Sequence, residues 1–437
     1  MRKTLRVRVG IVGCGVVGTG VVELLLKNSE LIRERSGVDL ELTRVADKDW
    51  QRPRSFYVPS DIRTTDYKEV LENSDIVVEL VGGKGFAKQL IKEALEKGKH
   101  VVSANKHLLA EEGRELFELA QKKGLSIGFE ASVGGGIPII KAVKESLVGN
   151  RIRAIYGILN GTTNYILTRM LEEEVDFQSA LSEAQEKGYA EADPSLDIDG
   201  WDTAHKIAIL SYIAFGGFFD FSEVYVEGIR GVELLDIELG RELGYTLKLL
   251  AIAKRRDSEL EVRVHPTFLP QEDPLAKVSD VYNAIMVEGD FVGKTMFYGK
   301  GAGSHPTASA VVSDIVDIAR KIAFCKEAMP YSWGDRTLSI SKNFYSRYYL
   351  RFDVPDKPGV LASIARVLAD SNISIASVLQ KEKVCSIAGR EKEHIIPLVI
   401  LTHKAYELDM KKALEGIKEL PVVVGEPVLI RVEEEAE

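Results

Sequence analysis

The chain has 437 residues, 45% of them hydrophobic and 28% charged, the composition of globular domains rather than of disordered or fibrous chains. At roughly 150 residues per domain, the length predicts about three domains with sizeable cores. Lysine and arginine number 57 against 66 acids, for a net charge of −9, so the basic surface of a nucleic-acid binder is not expected.

The three cysteines, Cys14, Cys325 and Cys385, are scattered without metal-ligand spacing. No disulfide framework is expected, and a reducing cytoplasm is the expected setting. The sequence runs straight into β-rich residues 5–10 with no apolar signal segment. The longest greasy stretch, 207–219, contains Ser211, Gly216 and Gly217 and is too short to span a bilayer.

In chain order, β-rich runs at 7–12, 40–46, 76–80, 100–103 and 126–129 alternate with helical patterns at 19–27, 88–96 and 111–123. Strand and helix in regular alternation predict a doubly wound parallel sheet covered on both faces, with 1–130 as one domain. The pattern then changes. A glycine-rich turn leads into helices at 137–148, 164–173, 177–187 and 202–215 and strands at 261–266 and 284–289. Residues 131–305 are therefore expected to form an α+β domain. A helix over 307–323 is expected to return to the first domain, giving it a completing segment at about 306–329. A linker follows at 330–346. Residues 347–437 read strand, helix, strand, strand, helix, strand, at 348–353, 360–369, 373–379, 395–402, 406–418 and 428–432. The acidic end, 433–437, reads as frayed and solvated.

Gly13-Cys14-Gly15-Val16-Val17-Gly18 follows a strand and opens a helix. Gly13 permits the tight turn, Gly15 lets backbone approach a pyrophosphate, and Gly18 lets helix pack on strand. The phosphate then faces unpaired helix amides. Dinucleotide binding is expected. Asp47, ending the second strand, is placed to take a ribose 2′-hydroxyl, whereas Lys48, Arg52 and Arg54 are placed to take a 2′-phosphate. NAD and NADP both remain open. Ser103-Ala-Asn-Lys106 leaves a strand at the carboxyl edge of the sheet, where such sheets bind ligands.

Glu130-Ala-Ser-Val133-Gly-Gly135-Gly-Ile137 allows an anion on its amides, a hard cation on its carbonyls, or a plain hinge. The densest polar stretch is Gly188 to Lys206. There Asp202 and Lys206 are i and i+4, on one face of a helix that continues apolar. A lysine buried beside a carboxylate and near a second lysine can trade protons near neutral pH. His205 reads as a local hydrogen-bonder. With seven histidines and no HxH or HExxH spacing, a zinc site is not expected.

In order, GxGxxG, ANK, EASVGGGIP, NGTTNYI at 160–166, GYAEADP at 188–194, DIDGWDTAHK at 197–206 and GAGSHPTASAV at 301–311 resemble the homoserine dehydrogenase family over about the first 330 residues. That resemblance implies reversible NAD(P)H-dependent reduction of L-aspartate 4-semialdehyde to L-homoserine, on the route to threonine, isoleucine and methionine. It implies Lys206 as general acid, with Asp202 and Lys106 completing the catalytic set. Glu191 would receive the substrate ammonium, with Thr162 and Tyr189 also beside the substrate. Gly13, Gly15, Val16, Val17, Gly18, Asp47, Lys48, Gly82, Ser103, Lys106, Gly188 and Gly303 would meet the cofactor. Glu130, Val133, Gly135 and Ile137 match a structural cation site, commonly sodium, built mainly from backbone oxygens. Many NADP-using members carry an arginine where this chain has Asp47-Lys48.

The last unit, through Val354-Pro-Asp356-Lys-Pro-Gly359-Val-Leu361, resembles an ACT domain, a ferredoxin-like regulatory module that pairs edge to edge. The resemblance implies a homodimer or larger homo-oligomer and an amino-acid effector, with L-threonine the expected ligand. Two other readings stay open. A non-catalytic NAD(P)H-sensing regulator would not need Lys206. Aspartate-semialdehyde dehydrogenase would need a cysteine nucleophile partnered by a histidine, and none of the three cysteines has that setting.

Overall fold

The computed structural model describes residues 5–256, 259–324, 336–381 and 395–434. Cys325, Cys385, the first part of the expected linker and the last three residues lie outside the described residues.

Six parallel strands form the first sheet, in the order Arg63–Thr64, Val38–Ala46, Leu5–Val12, Ile76–Glu79, His100–Ser103 and Ile127–Gly128. The chain crosses from one half of the sheet to the other beside Leu5–Val12, and at such a switch point the strand ends open a crevice. Strands covered on both faces need continuous apolar runs. Val7, Val9, Ile11, Val77, Val78, Val101 and Val102 are accordingly all fully buried. Helix Val16–Lys27 packs on one face together with helix Ser304–Phe324, where Val21, Val22, Val311 and Ile315 share a core with Val9 and Ile11. Burying each such side chain contributes about 1.5–3 kcal/mol.

The second sheet runs Gly293–Lys300, Tyr282–Gly289, Ile152–Ile158, Tyr245–Arg256 and Glu259–Pro270, all antiparallel. Helix Trp201–Phe215 lies on it. The sheet then continues without a break into the C-terminal unit, because Thr267 and Phe268 pair in parallel with Arg431 and Val432. Val424–Val432, Tyr345–Pro355, Ile395–Thr402 and Ile375–Gln380 complete it. Helices Val360–Asp370 and Glu407–Lys418 cover that part. This is the ferredoxin-like arrangement.

Three sequence expectations are corrected. The 137–148 helix is only a three-residue turn, Ile139–Lys141, followed by a π turn, Ala142–Ser146. The strands Ile152–Ile158, Tyr245–Arg256 and Gly293–Lys300 had no expected counterpart. The acidic end is not solvated at its start. Glu433 accepts from Lys254 at 2.5 Å and Arg263 at 3.0 Å, and Glu434 pairs with Arg347. Buried Arg263 and part-buried Lys254, on neighbouring strands, take that charge, because a desolvated cation left unpaired is costly.

Candidate active site

The phosphate loop begins where Leu5–Val12 ends. Gly13 has φ 101° and donates its N–H to the Ala46 carbonyl. A Cβ at Gly13 would lie 2.5 Å from the Leu80 carbonyl oxygen, and one at Gly18 would lie 2.1 Å from that of Gly13. Neither position admits a side chain. Gly15 instead faces open space within 4 Å, which leaves room for a pyrophosphate against the start of helix Val16–Lys27. A cleft of about 530 Å³ spreads from this loop and is lined by Gly13, Gly15, Asp47, Lys48, Arg52 and Gly82, among others. The donor set and the bare backbone fit a dinucleotide. The Gly303–Ser304 segment abuts the loop, since Ser304 donates to the Val16 carbonyl at 2.8 Å.

The charged residues around Asp47 divide. Lys48 and Arg52 line the cleft. Arg54 turns into the loop, with Nε donating to the Cys14 carbonyl and its guanidinium 3.3 Å from Asp47. Asp47 accepts from the backbone N–H groups of Cys14 and Asp49 at 2.7 and 2.9 Å. Asp47 and Arg54 therefore brace the phosphate loop, and Arg54 does not face the cleft as the sequence suggested. The Ser103 hydroxyl is likewise committed, donating to buried Glu79 at 2.6 Å. Burial pushes the Glu79 carboxyl up, although Ser103 and the Val81 and Gly82 amides pull against it.

Helix Lys106–Lys122 starts at the carboxyl edge of the sheet, capped by Asn105, whose Oδ1 accepts from Leu108 N–H. Lys106 thus leaves the nucleotide domain and reaches Asp202 of the second domain, 2.5 Å away. Asp202 is held from its other oxygen by Lys206 at 2.6 Å and by Asn160 at 2.8 Å. The Lys206 ammonium also donates to the Leu159 carbonyl at 2.6 Å. Burial would raise the Asp202 carboxyl, but Lys206 and Lys106 hold it far below the usual range. Burial pushes the Lys206 ammonium down, against the pull of Asp202. Half-exposed Lys106 is pulled up by Asp202. Burial followed by the nearby Asp202 charge raises the Asp197 carboxyl, which accepts from Asn160 at 2.7 Å.

Asn160 also caps helix Gly161–Glu173, accepting from Thr163 N–H. Asn160, Asp197 and Glu79 had no role expected from the sequence. An acid inside the apolar 76–80 run and an asparagine three residues before Thr163 were the available signals. On the cleft's other wall, Thr162 donates to the Tyr189 carbonyl at 2.7 Å. Gly188 ends the Phe177–Glu186 helix in the left-handed region, and Tyr189 and Glu191 are exposed. The negative charge of Glu191 reaches Lys106.

Glu130 accepts from the Ile140 and Lys141 amides at 2.8 and 2.9 Å, and its own N–H donates to buried Asp314. Its carboxylate thus faces helix amides, so a cation here would rest on backbone carbonyls of the Val133–Ile137 turn. Gly135 has φ 53°, and its missing Cβ lets the turn meet the Gly301 carbonyl.

A parallel six-stranded nucleotide sheet, an open phosphate loop and a lysine–carboxylate–lysine cluster define a nicotinamide-dependent oxidoreductase. Family models of the homoserine dehydrogenase NAD-binding domain, the homoserine dehydrogenase catalytic domain and the ACT domain match residues 13–130, 138–316 and 348–405. The chain is 42% identical to homoserine dehydrogenase of Pseudomonas aeruginosa, covering 98% of this chain and 99% of that one. It is 43% identical to that of Neisseria gonorrhoeae, covering 98% of each. A solved homoserine dehydrogenase from Thiobacillus denitrificans superposes with TM-score 0.92 at 41% identity, over 99% of this chain and 100% of that one. A hyperthermophilic archaeal homoserine dehydrogenase in complex with NADPH has TM-score 0.59 at 27% identity, over 72% of this chain and 98% of that one. The chain belongs to the homoserine dehydrogenase family, an NAD(P)-dependent enzyme reducing L-aspartate 4-semialdehyde to L-homoserine, with an ACT domain at its C-terminal end.

Proposed function

We propose that Lys206 is the general acid of this reaction, and the observation that carries this is its burial one helical turn from Asp202 with Lys106 opposite. The bound nicotinamide supplies hydride to the aldehyde carbon. An ammonium has three N–H donors, and Lys206 spends two of them, on Asp202 and the Leu159 carbonyl. The third is left for the substrate oxygen, where charge develops. A buried donor there both stabilises the alkoxide and gives it a proton. Asp202 fixes both ammonium groups. Lys106, at the domain junction, steers the carbonyl from the nucleotide side. Glu191 receives the substrate ammonium at the exposed rim, with Thr162 and Tyr189 shaping that wall.

Lys48 and Arg52 in the cleft favour acceptance of a 2′-phosphate, as does the NADPH complex of the archaeal relative. Gly13, Gly15, Val16, Val17 and Gly18 hold the pyrophosphate, and Gly82, Gly188, Ser103 and Gly303 border the cofactor path. The Glu130, Val133, Gly135 and Ile137 turn holds a structural monovalent cation of the sodium class. The protein works in the cytoplasm as a homo-oligomer. L-threonine binds at the ACT turn Asp356–Gly359, where Gly359 opens helix Val360–Asp370 with φ 93°. One assay tests the core of this reading: oxidation of NADPH and of NADH with aspartate 4-semialdehyde, with and without threonine. Turnover lowered by orders of magnitude in Lys206→Ala or Lys206→Met beside an active parent supports the acid assignment. Near-parental turnover at saturating substrate would move it to Lys106.

A further inference from the structure

Beside the catalytic lysines, one residue away on each helix, a second polar cluster stands that hydride transfer does not use. His107 and Glu111 are i and i+4 on helix Lys106–Lys122, and His205 precedes Lys206 on helix Trp201–Phe215. His107 Nε2 and His205 Nε2 both point at one atom, Glu111 Oε1, from 2.9 and 3.1 Å. The imidazole centroids are 4.6 Å apart, and Phe221 stacks under His205 at 4.7 Å. The buried His205 Nδ1 has no hydrogen-bond partner among the described residues.

We propose that His107, Glu111 and His205 bind a divalent transition-metal ion of the zinc class. Two imidazole nitrogens and one carboxylate oxygen are the donor set zinc takes when it keeps an open fourth position for water. The three ligand atoms lie within 4.8 Å of one another, and around a tetrahedral zinc such atoms sit about 3.3 Å apart. Only a small inward movement is needed. His107 is half-buried on the first turn of its helix, where a rotamer change can supply that movement. Lys84 holds the other carboxylate oxygen, Glu111 Oε2, at 2.5 Å, so Oε1 is left for the ion. The sequence hid this site because its ligands lie 94 residues apart, with no local motif beyond one i,i+4 step. Its occupancy would clamp the Lys106 helix to the Lys206 helix.

The test uses the untagged, chelator-treated full chain titrated with Co²⁺ and then displaced by Zn²⁺. The expected result is one equivalent bound, with the intense visible absorption of four-coordinate cobalt that Zn²⁺ abolishes. His107→Ala, at a half-buried position whose loss leaves the core intact, should weaken binding at least tenfold. Lys84→Ala, which removes a repelling cation, should tighten it. Absence of stoichiometric binding by the folded parent overturns the proposal. So does binding that His107→Ala and Glu111→Gln both leave unchanged.

Discussion

The Lys206 ammonium lies 2.6 Å from Asp202 Oδ2, one turn back on a helix whose residues 202–213 are all buried. Its geometry and charge are set by that pair together with Lys106, Asn160 and the Leu159 carbonyl. We predict that Lys206→Ala lowers turnover by about 10²–10⁴, the usual contribution of a positioned acid. Cofactor affinity, measured by fluorescence titration, should stay within a factor of about two, because no phosphate-loop contact is touched. A large loss of cofactor binding would show that Lys206 acts through the cleft and not on the substrate oxygen.

Asp202 sets the proton affinity of Lys206 as well as its position. The carboxylate raises it, while burial and the Lys106 charge lower it. In Asp202→Asn the raising influence is gone, and Lys206 gives up its proton at lower pH. Aldehyde reduction needs the protonated acid, so the alkaline limb of kcat should move to lower pH, by about 1–3 pH units for an opposite charge this close. Turnover should fall at every pH, since neither lysine is pinned. A pH–rate profile with an unmoved alkaline limb would separate Lys206 from the titrating step.

At the adenosine end, Lys48 faces the cleft while Arg54 braces the loop. Lys48→Glu should weaken NADPH more than NADH by about 1–3 kcal/mol, the value of a charge-assisted hydrogen bond. Arg54→Ala should weaken both cofactors alike, because it frees Asp47 and loosens the Cys14 turn. The opposite pattern, with Arg54→Ala selective for NADPH, would put the guanidinium on the 2′-phosphate.

Much of this was legible in the sequence for local reasons. Strand-buried valines, the Gly13–Gly18 spacing and the i,i+4 relation of Asp202 and Lys206 all lie within one or two elements. Lys106 could be suspected from its exit at a strand end, but its ion pair to Asp202 joins residues of two domains, which no local pattern records. Strand Tyr245–Arg256 went unseen because its buried middle holds only a five-residue apolar run, 249–253, with lysines at both ends, and so short a run cannot be told from a buried helix segment by periodicity. Glu433 was misread because charge runs are normally solvated. Only the pairing of Val424–Val432 with Glu259–Pro270 brings it onto Arg263.

That same pairing changes what removal of the ACT domain should do. All the proposed catalytic residues lie before it, so a chain ending near Met329 would, as a separable module, keep its turnover and lose only a threonine response. The structure ties the parts more closely. Asp236, fully buried in the catalytic half, accepts from Arg351 Nε at 2.7 Å and from the Tyr349 hydroxyl at 2.9 Å. Arg263 and Lys254 depend on Glu433. Breaking a buried pair by removing one partner costs about 3–5 kcal/mol, because a desolvated charge is left alone. Arg351→Met should therefore cost about that much in denaturant unfolding, and adding Asp236→Leu should recover most of it. The truncated chain, which loses partners at all three positions, should turn over at low temperature and inactivate well below the parent's Tm. If it melts with the parent, the buried pairs contribute nothing to the catalytic half. If it is folded at low temperature yet inactive, the C-terminal unit takes part in turnover itself.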